Sequence, residues 1–169
     1  VLTRSQDDNL TWAPRLEALG ARVISLPCIR TEFLDPAEVV ASFDTASRDA
    51  RWLAFGSRRG VLGLAEAIPV ERLDGLSIAA VGPATAAACR QRFGRVDLEA
   101  SLGTAKSLGA TLGELIGRGG GPVLFAGADR STGDLQRVLE KAGVILRAIV
   151  VYRTLSAVAD GEKRDLAAA

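Results

Sequence analysis

Most of the residues able to do chemistry sit in five short turns of one pattern. Thr3-Arg4-Ser5, Gly56-Ser57-Arg58-Arg59-Gly60, Gly82-Pro83-Ala84-Thr85, Gly103-Thr104-Ala105-Lys106-Ser107 and Gly127-Ala128-Asp129-Arg130-Ser131-Thr132 each put small residues and a hydroxyl at the start of an expected helix. Such a turn presents unpaired backbone N–H groups at the positive end of a helix dipole, an arrangement that attracts anions. Arg4, Arg58, Arg59, Lys106 and Arg130 add formal charge at four of the five turns. One exposed dipole contact contributes only ~0.3–1 kcal/mol, so an anion would need several turns acting together. The same Ser and Thr residues are also ordinary helix caps, and one turn alone asks for no ligand. Tyr152 is the only tyrosine and ends the longest β-rich run, Val144–Tyr152. On residue type alone it is a ring that packs while its hydroxyl finds water.

Absences narrow the chemistry further. The chain has no His, which excludes a Ser-His-Asp triad, a Cys-His dyad, a His metal site and a His general base. Its two cysteines, Cys28 and Cys89, are far apart, which excludes a four-Cys zinc site. They read as reduced thiols of a cytoplasmic protein rather than as a disulfide. Gly117–Pro122 fails the dinucleotide glycine pattern because Pro122 stands where the last Gly belongs, and no Gly-Lys-Ser/Thr phosphate loop occurs. A net charge of +1 argues against a nucleic-acid clamp. No apolar run approaches the ~18–20 residues that cross a membrane.

The turns need a scaffold that sets them side by side. With 169 residues, 48% apolar and 24% charged, the chain fits one soluble globular domain or two small ones. Short apolar runs alternate with helical periodicities. Val1–Thr3 and Arg22–Leu26 read as strands around a helix at Asp8–Leu19. Cys28–Leu34 stays extended, and Asp35-Pro36 opens a helix to about Ala46. Strands at Trp52–Phe55, Ser77–Val81, Val96–Leu98, Val123–Ala126 and Val144–Tyr152 then alternate with helices at Arg59–Ile68, Ala84–Phe93, Ser107–Ile116 and Thr132–Ala142. This alternation predicts an α/β fold, a parallel sheet with helices on both faces. Five strands suffice for one doubly wound domain. The two strands before Cys28 are left over, and with one helix they cannot bury enough to stand alone.

Several segments, in order, resemble uroporphyrinogen-III synthase: Val1-Leu2-Thr3-Arg4, Leu16–Pro27, Trp52–Ser57, Ile78–Ala88, Gly103–Leu108 and Val150–Thr154. Gly56 stands where the family usually has Thr, and Leu124–Asp129 lacks an Arg-Gly-Asp often found there. The resemblance implies two doubly wound, flavodoxin-like domains of five parallel strands each, joined by a two-stranded crossover. Residues 1–30 would open the first domain, 31–154 would form the complete second domain, and 155–169 would begin the return to the first. The rest of the first domain would then be missing, and the lack of any Met fits a chain without its natural start. The implied reaction cyclises hydroxymethylbilane to uroporphyrinogen III with inversion of the last pyrrole ring, without metal or cofactor. Tyr152 matches the family's tyrosine and would be the catalytic hydrogen-bond donor, since phenols ordinarily hold their proton at neutral pH. Arg4, Ser57, Thr85 and Thr104 match motif positions as substrate contacts. Arg58, Gly82, Ala84, Ala105 and Lys106 join them as neighbours in the same turns. The competing reading is a non-catalytic domain of this fold that binds a small anion or acts as a sensor.

Overall fold

In the computed structural model, which describes residues 1–117, 120–131 and 133–157, strand and helix alternate. The elements are α1 (Gln6–Glu17), β1 (Ile29–Phe33), α2 (Pro36–Ala46), β2 (Trp52–Phe55), α3 (Arg58–Ala67), β3 (Ser77–Ala80), α4 (Pro83–Phe93), β4 (Leu98–Glu99), α5 (Ala105–Ile116), β5 (Val123–Ala128), α6 (Asp134–Lys141) and β6 (Leu146–Ser156). A single 3-10 turn at Val70–Leu73, absent from the pattern reading, leads into β3. The expected helix start at Thr132 and the return from residue 158 onward fall outside the described residues.

The chain divides into two compact units. One comprises Val1–Glu32 with the described residues from Arg153 on, and the other is Phe33–Tyr152. The larger unit is built on the order β6-β5-β2-β3-β4, with β1 flanking β6. Its neighbouring strands pair in parallel. Strands that are buried on both faces should be continuously apolar, and Leu53, Ala54 and Phe55 of β2 are all fully buried. Alternate residues supply two cores. Leu53, Phe55, Ile78, Leu124 and Ile149 pack with Val39 and Phe43 of α2, Val61 and Leu64 of α3, and Ala86 and Cys89 of α4. On the opposite face, Ala54, Ala79 and Val123 pack with Leu108 and Leu112 of α5 and Leu135 and Leu139 of α6. Helices therefore cover both sides, as a doubly wound sheet requires.

Counting only these five strands, the order is 3-2-1-4-5. The chain builds outward through β3 and β4, then returns to the other side of β2 for β5 and β6. Flavodoxin's order is 2-1-3-4-5, so this unit shares the doubly wound principle with a different strand order. The reversal lies between β2 and β5.

The smaller unit is sparse. Ser5 caps α1, its Oγ accepting the Asp8 N–H at 3.4 Å, so the helix starts before the expected Asp8. The expected strands at Val1–Thr3 and Arg22–Leu26 shrink to one parallel bridge, Leu2 with Ser25. It is fixed by Leu2 N–H to Ile24 O and Leu26 N–H to Leu2 O, both 2.8 Å. Buried Asn9 ties α1 to this pair, donating to Leu2 O at 2.9 Å and Ser25 Oγ at 3.0 Å. Leu10, Leu19 and Ile24 of this unit are exposed.

Candidate site at the strand ends of the larger unit

Register sets the site. Phe55, Ala80, Glu99, Ala126 and Ile149 stand level across the sheet. The segments just beyond them emerge at the same edge: Gly56-Ser57 after β2, Val81-Gly82 after β3, Gly103-Thr104 after β4, the end of β5, and Tyr152 on β6. In doubly wound sheets the crevice beyond the carboxyl ends, at the point of strand-order reversal, is where ligands bind.

Ser57 stands at that reversal. Its backbone is extended, and its Oγ accepts the Gly60 N–H at 3.1 Å, capping α3. Gly60 is required by packing, since a Cβ there would lie 2.5 Å from the Ala126 carbonyl oxygen. The first turn of α3 thus rests directly on β5. Across β5, the Tyr152 hydroxyl lies 3.2 Å from Ser57 Oγ.

Strict alternation along β6 would not have put it there. Ile149 and Val151 face the α3 core, so Tyr152 should face away. A β-bulge changes this. Gly127 pairs with Val150 and Ala128 with Tyr152, leaving Val151 as the extra residue. Tyr152 is thereby turned onto the α3 face, where it packs against that core. The Phe33 and Tyr152 rings meet in a T-shaped contact, 6.5 Å between centroids and 75° between planes. The Asp129 N–H donates to the Tyr152 carbonyl at 3.1 Å and closes the end of the ladder.

The other expected residues are placed unevenly. Gly82 begins α4, and a Cβ there would come within 3.2 Å of Gly103 Cα, so the turns after β3 and β4 touch. Thr104 is exposed and caps α5, its Oγ1 accepting the Ser107 N–H at 3.1 Å. Ala105 is half-buried, whereas Lys106, Ala84 and Arg58 are exposed. Thr85 is only 5% exposed and sits inside the first turn of α4, so its hydroxyl does not stand on the open rim. Arg4 belongs to the smaller unit and is paired with Asp8 at 3.0 Å. Phe33, and the Ser57–Tyr152 contact itself, were not visible in the pattern. The available signal was Gly60, three residues after a capping Ser, which marks a close approach of backbone to backbone.

No thiol nucleophile is offered here by Cys89. It is fully buried in α4, and burial pushes its thiol up to about 12, against the opposing charge of Arg90. Among the described residues no group of His, Cys, Asp and Glu is placed to hold a metal ion, and no helix is long and apolar enough to cross a membrane.

These features define a doubly wound α/β protein whose candidate site is made of helix-start turns and one phenol. The chain belongs to the family described as uroporphyrinogen-III synthase HemD, whose model matches residues 11–169. No curated protein matches it. A mutant uroporphyrinogen III synthase from the extreme thermophile Thermus thermophilus is similar in structure, with a TM-score of 0.66 and 20% identity over 86% of this chain and 58% of that one. The wild-type Thermus enzyme gives a TM-score of 0.58 and 21% identity over 88% and 59%. The Helicobacter pylori enzyme gives 0.54 and 18% over 87% and 64%. At these identities the structures establish the fold alone. The chain spans less than two thirds of the length of each of the three.

Proposed function

We propose that this chain carries a substrate-holding domain of a uroporphyrinogen-III synthase, which cyclises hydroxymethylbilane with inversion of the last pyrrole ring. The observation that supports this most is the Tyr152 hydroxyl set 3.2 Å from the α3 cap Ser57, at the sheet edge where the strand order reverses. On this reading residues 31–154 are the complete second domain, and 1–30 with 155–169 are parts of the first. The protein is a cytoplasmic monomer that works on the bilane, not on nucleic acid or membrane.

The chemistry asks for control of shape. Loss of the bilane's hydroxyl gives an azafulvene, and spontaneous closure then yields the uninverted ring. To obtain the inverted product, the substituted carbon of the last ring must attack first and form a spiro intermediate. Holding the two ends of the chain in one pose can contribute ~7–11 kcal/mol through orientation. The bilane's acetate and propionate groups suit the N–H groups at the starts of α3, α4 and α5, with Lys106 and Arg58 close in sequence. Arg4 is assigned as a substrate contact of its own unit, on its match to the family's early Thr-Arg pair alone. Tyr152 donates its hydrogen to the departing hydroxyl, which leaves as water.

The test is product analysis with hydroxymethylbilane. A type III share above that of the spontaneous reaction is expected, and a product mixture identical to the spontaneous one overturns the reading. Tyr152→Phe should lower that share while leaving the far-ultraviolet circular dichroism unchanged. Full retention of type III product in that variant returns Tyr152 to a packing role.

A further inference from the structure

We propose that Ser57 is a positioning residue for Tyr152, donating its hydroxyl hydrogen to the phenol oxygen so that the phenol's own hydrogen stays free for substrate. The inference rests on the proposed function for its chemical purpose, and on geometry for its substance. Ser57 Oγ already accepts the Gly60 N–H at 3.1 Å, and an amide N–H can only donate. A serine hydroxyl has one hydrogen left to give. Passing it to Tyr152, 3.2 Å away, produces a chain that runs one way, from the Gly60 N–H through the Ser57 hydroxyl to the Tyr152 oxygen. Hydrogen bonds in such a chain polarise and strengthen one another. The reverse assignment would aim two hydrogens at Ser57 Oγ and occupy the phenol hydrogen that the reaction needs.

Three further contacts hold the pair rigid. The α3 turn that carries Ser57 cannot drift, because Gly60 is packed on the Ala126 carbonyl oxygen. The bulge at Val151 turns Tyr152 toward Ser57, and the T-shaped contact with Phe33 limits the swing of its ring. Ser57 also sits at the positive end of the α3 dipole, which favours electron density gathering on the phenol oxygen as its hydrogen leaves.

Because the chain has one tyrosine, its Raman Fermi doublet reports on Tyr152 alone and distinguishes a phenol that accepts from one that donates. The test compares the parent with Ser57→Ala, Ser57→Thr and Tyr152→Phe. The doublet should read as an accepting phenol in the parent and in Ser57→Thr, and shift toward donor-only in Ser57→Ala. Type III formation should fall about three- to tenfold in Ser57→Ala, the worth of one neutral hydrogen bond, and recover in Ser57→Thr. Combining Ser57→Ala with Tyr152→Phe should cost no more than Tyr152→Phe alone. Ser57→Ala also removes a helix cap, and Ser57→Gly, which keeps α3 nearly as stable, serves as the second variant and should match it. A doublet unchanged by Ser57→Ala and Ser57→Gly, a donor-only doublet in the parent, or additive losses in the double variant would each overturn the proposal. A parent that makes no type III product overturns the proposed function instead. The two failures separate because the doublet is read without substrate.

Discussion

Tyr152 and Ser57 show what a residue gains from its surroundings. A lone tyrosine usually packs its ring and wets its hydroxyl. Here the hydroxyl meets a helix cap, and the pair joins two positions 95 residues apart. Cys89 shows the opposite case, a reactive type made inert. Its thiol is raised from 9.0 to about 12, chiefly by burial. The folded state therefore keeps its proton where the unfolded chain would release it. This contribution to stability is complete below about 9 and is lost as pH rises toward 12. Across that window, the denaturation midpoint of the parent should fall more steeply with pH than that of Cys89→Ala. Equal slopes would show that burial does not tune this thiol. Residue types were readable from the sequence: Tyr152, Ser57 and Thr104 stood out as phenol, cap and cap. The contact between Tyr152 and Ser57 was not, because strict alternation along Val144–Tyr152 assigns that ring to the wrong side. Nor was the burial of Thr85, whose type and place in a turn look the same whether or not α4 draws it inward.

At the scale of elements, the strands that carry the site were legible because burial on both faces demands unbroken apolar runs such as Trp52–Phe55. Helix starts were legible through their caps, as with Asp35-Pro36 and Thr104, where the side chain accepts the N–H of Ala37 and of Ser107. The short strand expected at Val96–Leu98 forms instead at Leu98–Glu99, because pairing with Ala79 and Ala80 of β3 sets its bounds. The fit of α3 onto β5 is the element contact on which the site depends. Gly60→Ala places a methyl group 2.5 Å from a backbone oxygen that cannot swing aside. We expect a loss of about 1–3 kcal/mol, read as a lower urea midpoint with unchanged slope. A lower type III share should accompany it, as Ser57 is pushed off Tyr152. An unchanged midpoint would mean that α3 does not press on β5.

For the whole molecule, the two units should differ in how long they resist opening. The larger one has two cores, formed by the fully buried side chains of β2, β3 and β5 with five helices. In the smaller one, among the described residues, Leu2 and Ser25 pair through one isolated parallel bridge, and Leu10, Leu19 and Ile24 are exposed. Amide hydrogen exchange should therefore be slowest for Leu53–Phe55, Ile78–Ala80 and Leu124–Ala126, and distinctly faster for Leu2 and Leu26. Comparable protection of both sets would contradict this ranking. In the sequence this unit was legible only as two short strands and one helix left over from the doubly wound pattern. The strand order, by contrast, depends on which side of β2 the chain returns to after β4, and no local pattern records that choice.

The unpaired Val151 makes the site sensitive to pairing in a way that composition does not reveal. If β6 paired residue for residue with β5, with no extra residue at Val151, the ladder would carry the phenol to the α5 and α6 side while leaving every residue type in place. The placement of the phenol is thus a matter of register as much as of residue identity, and a slip of pairing alone would silence it.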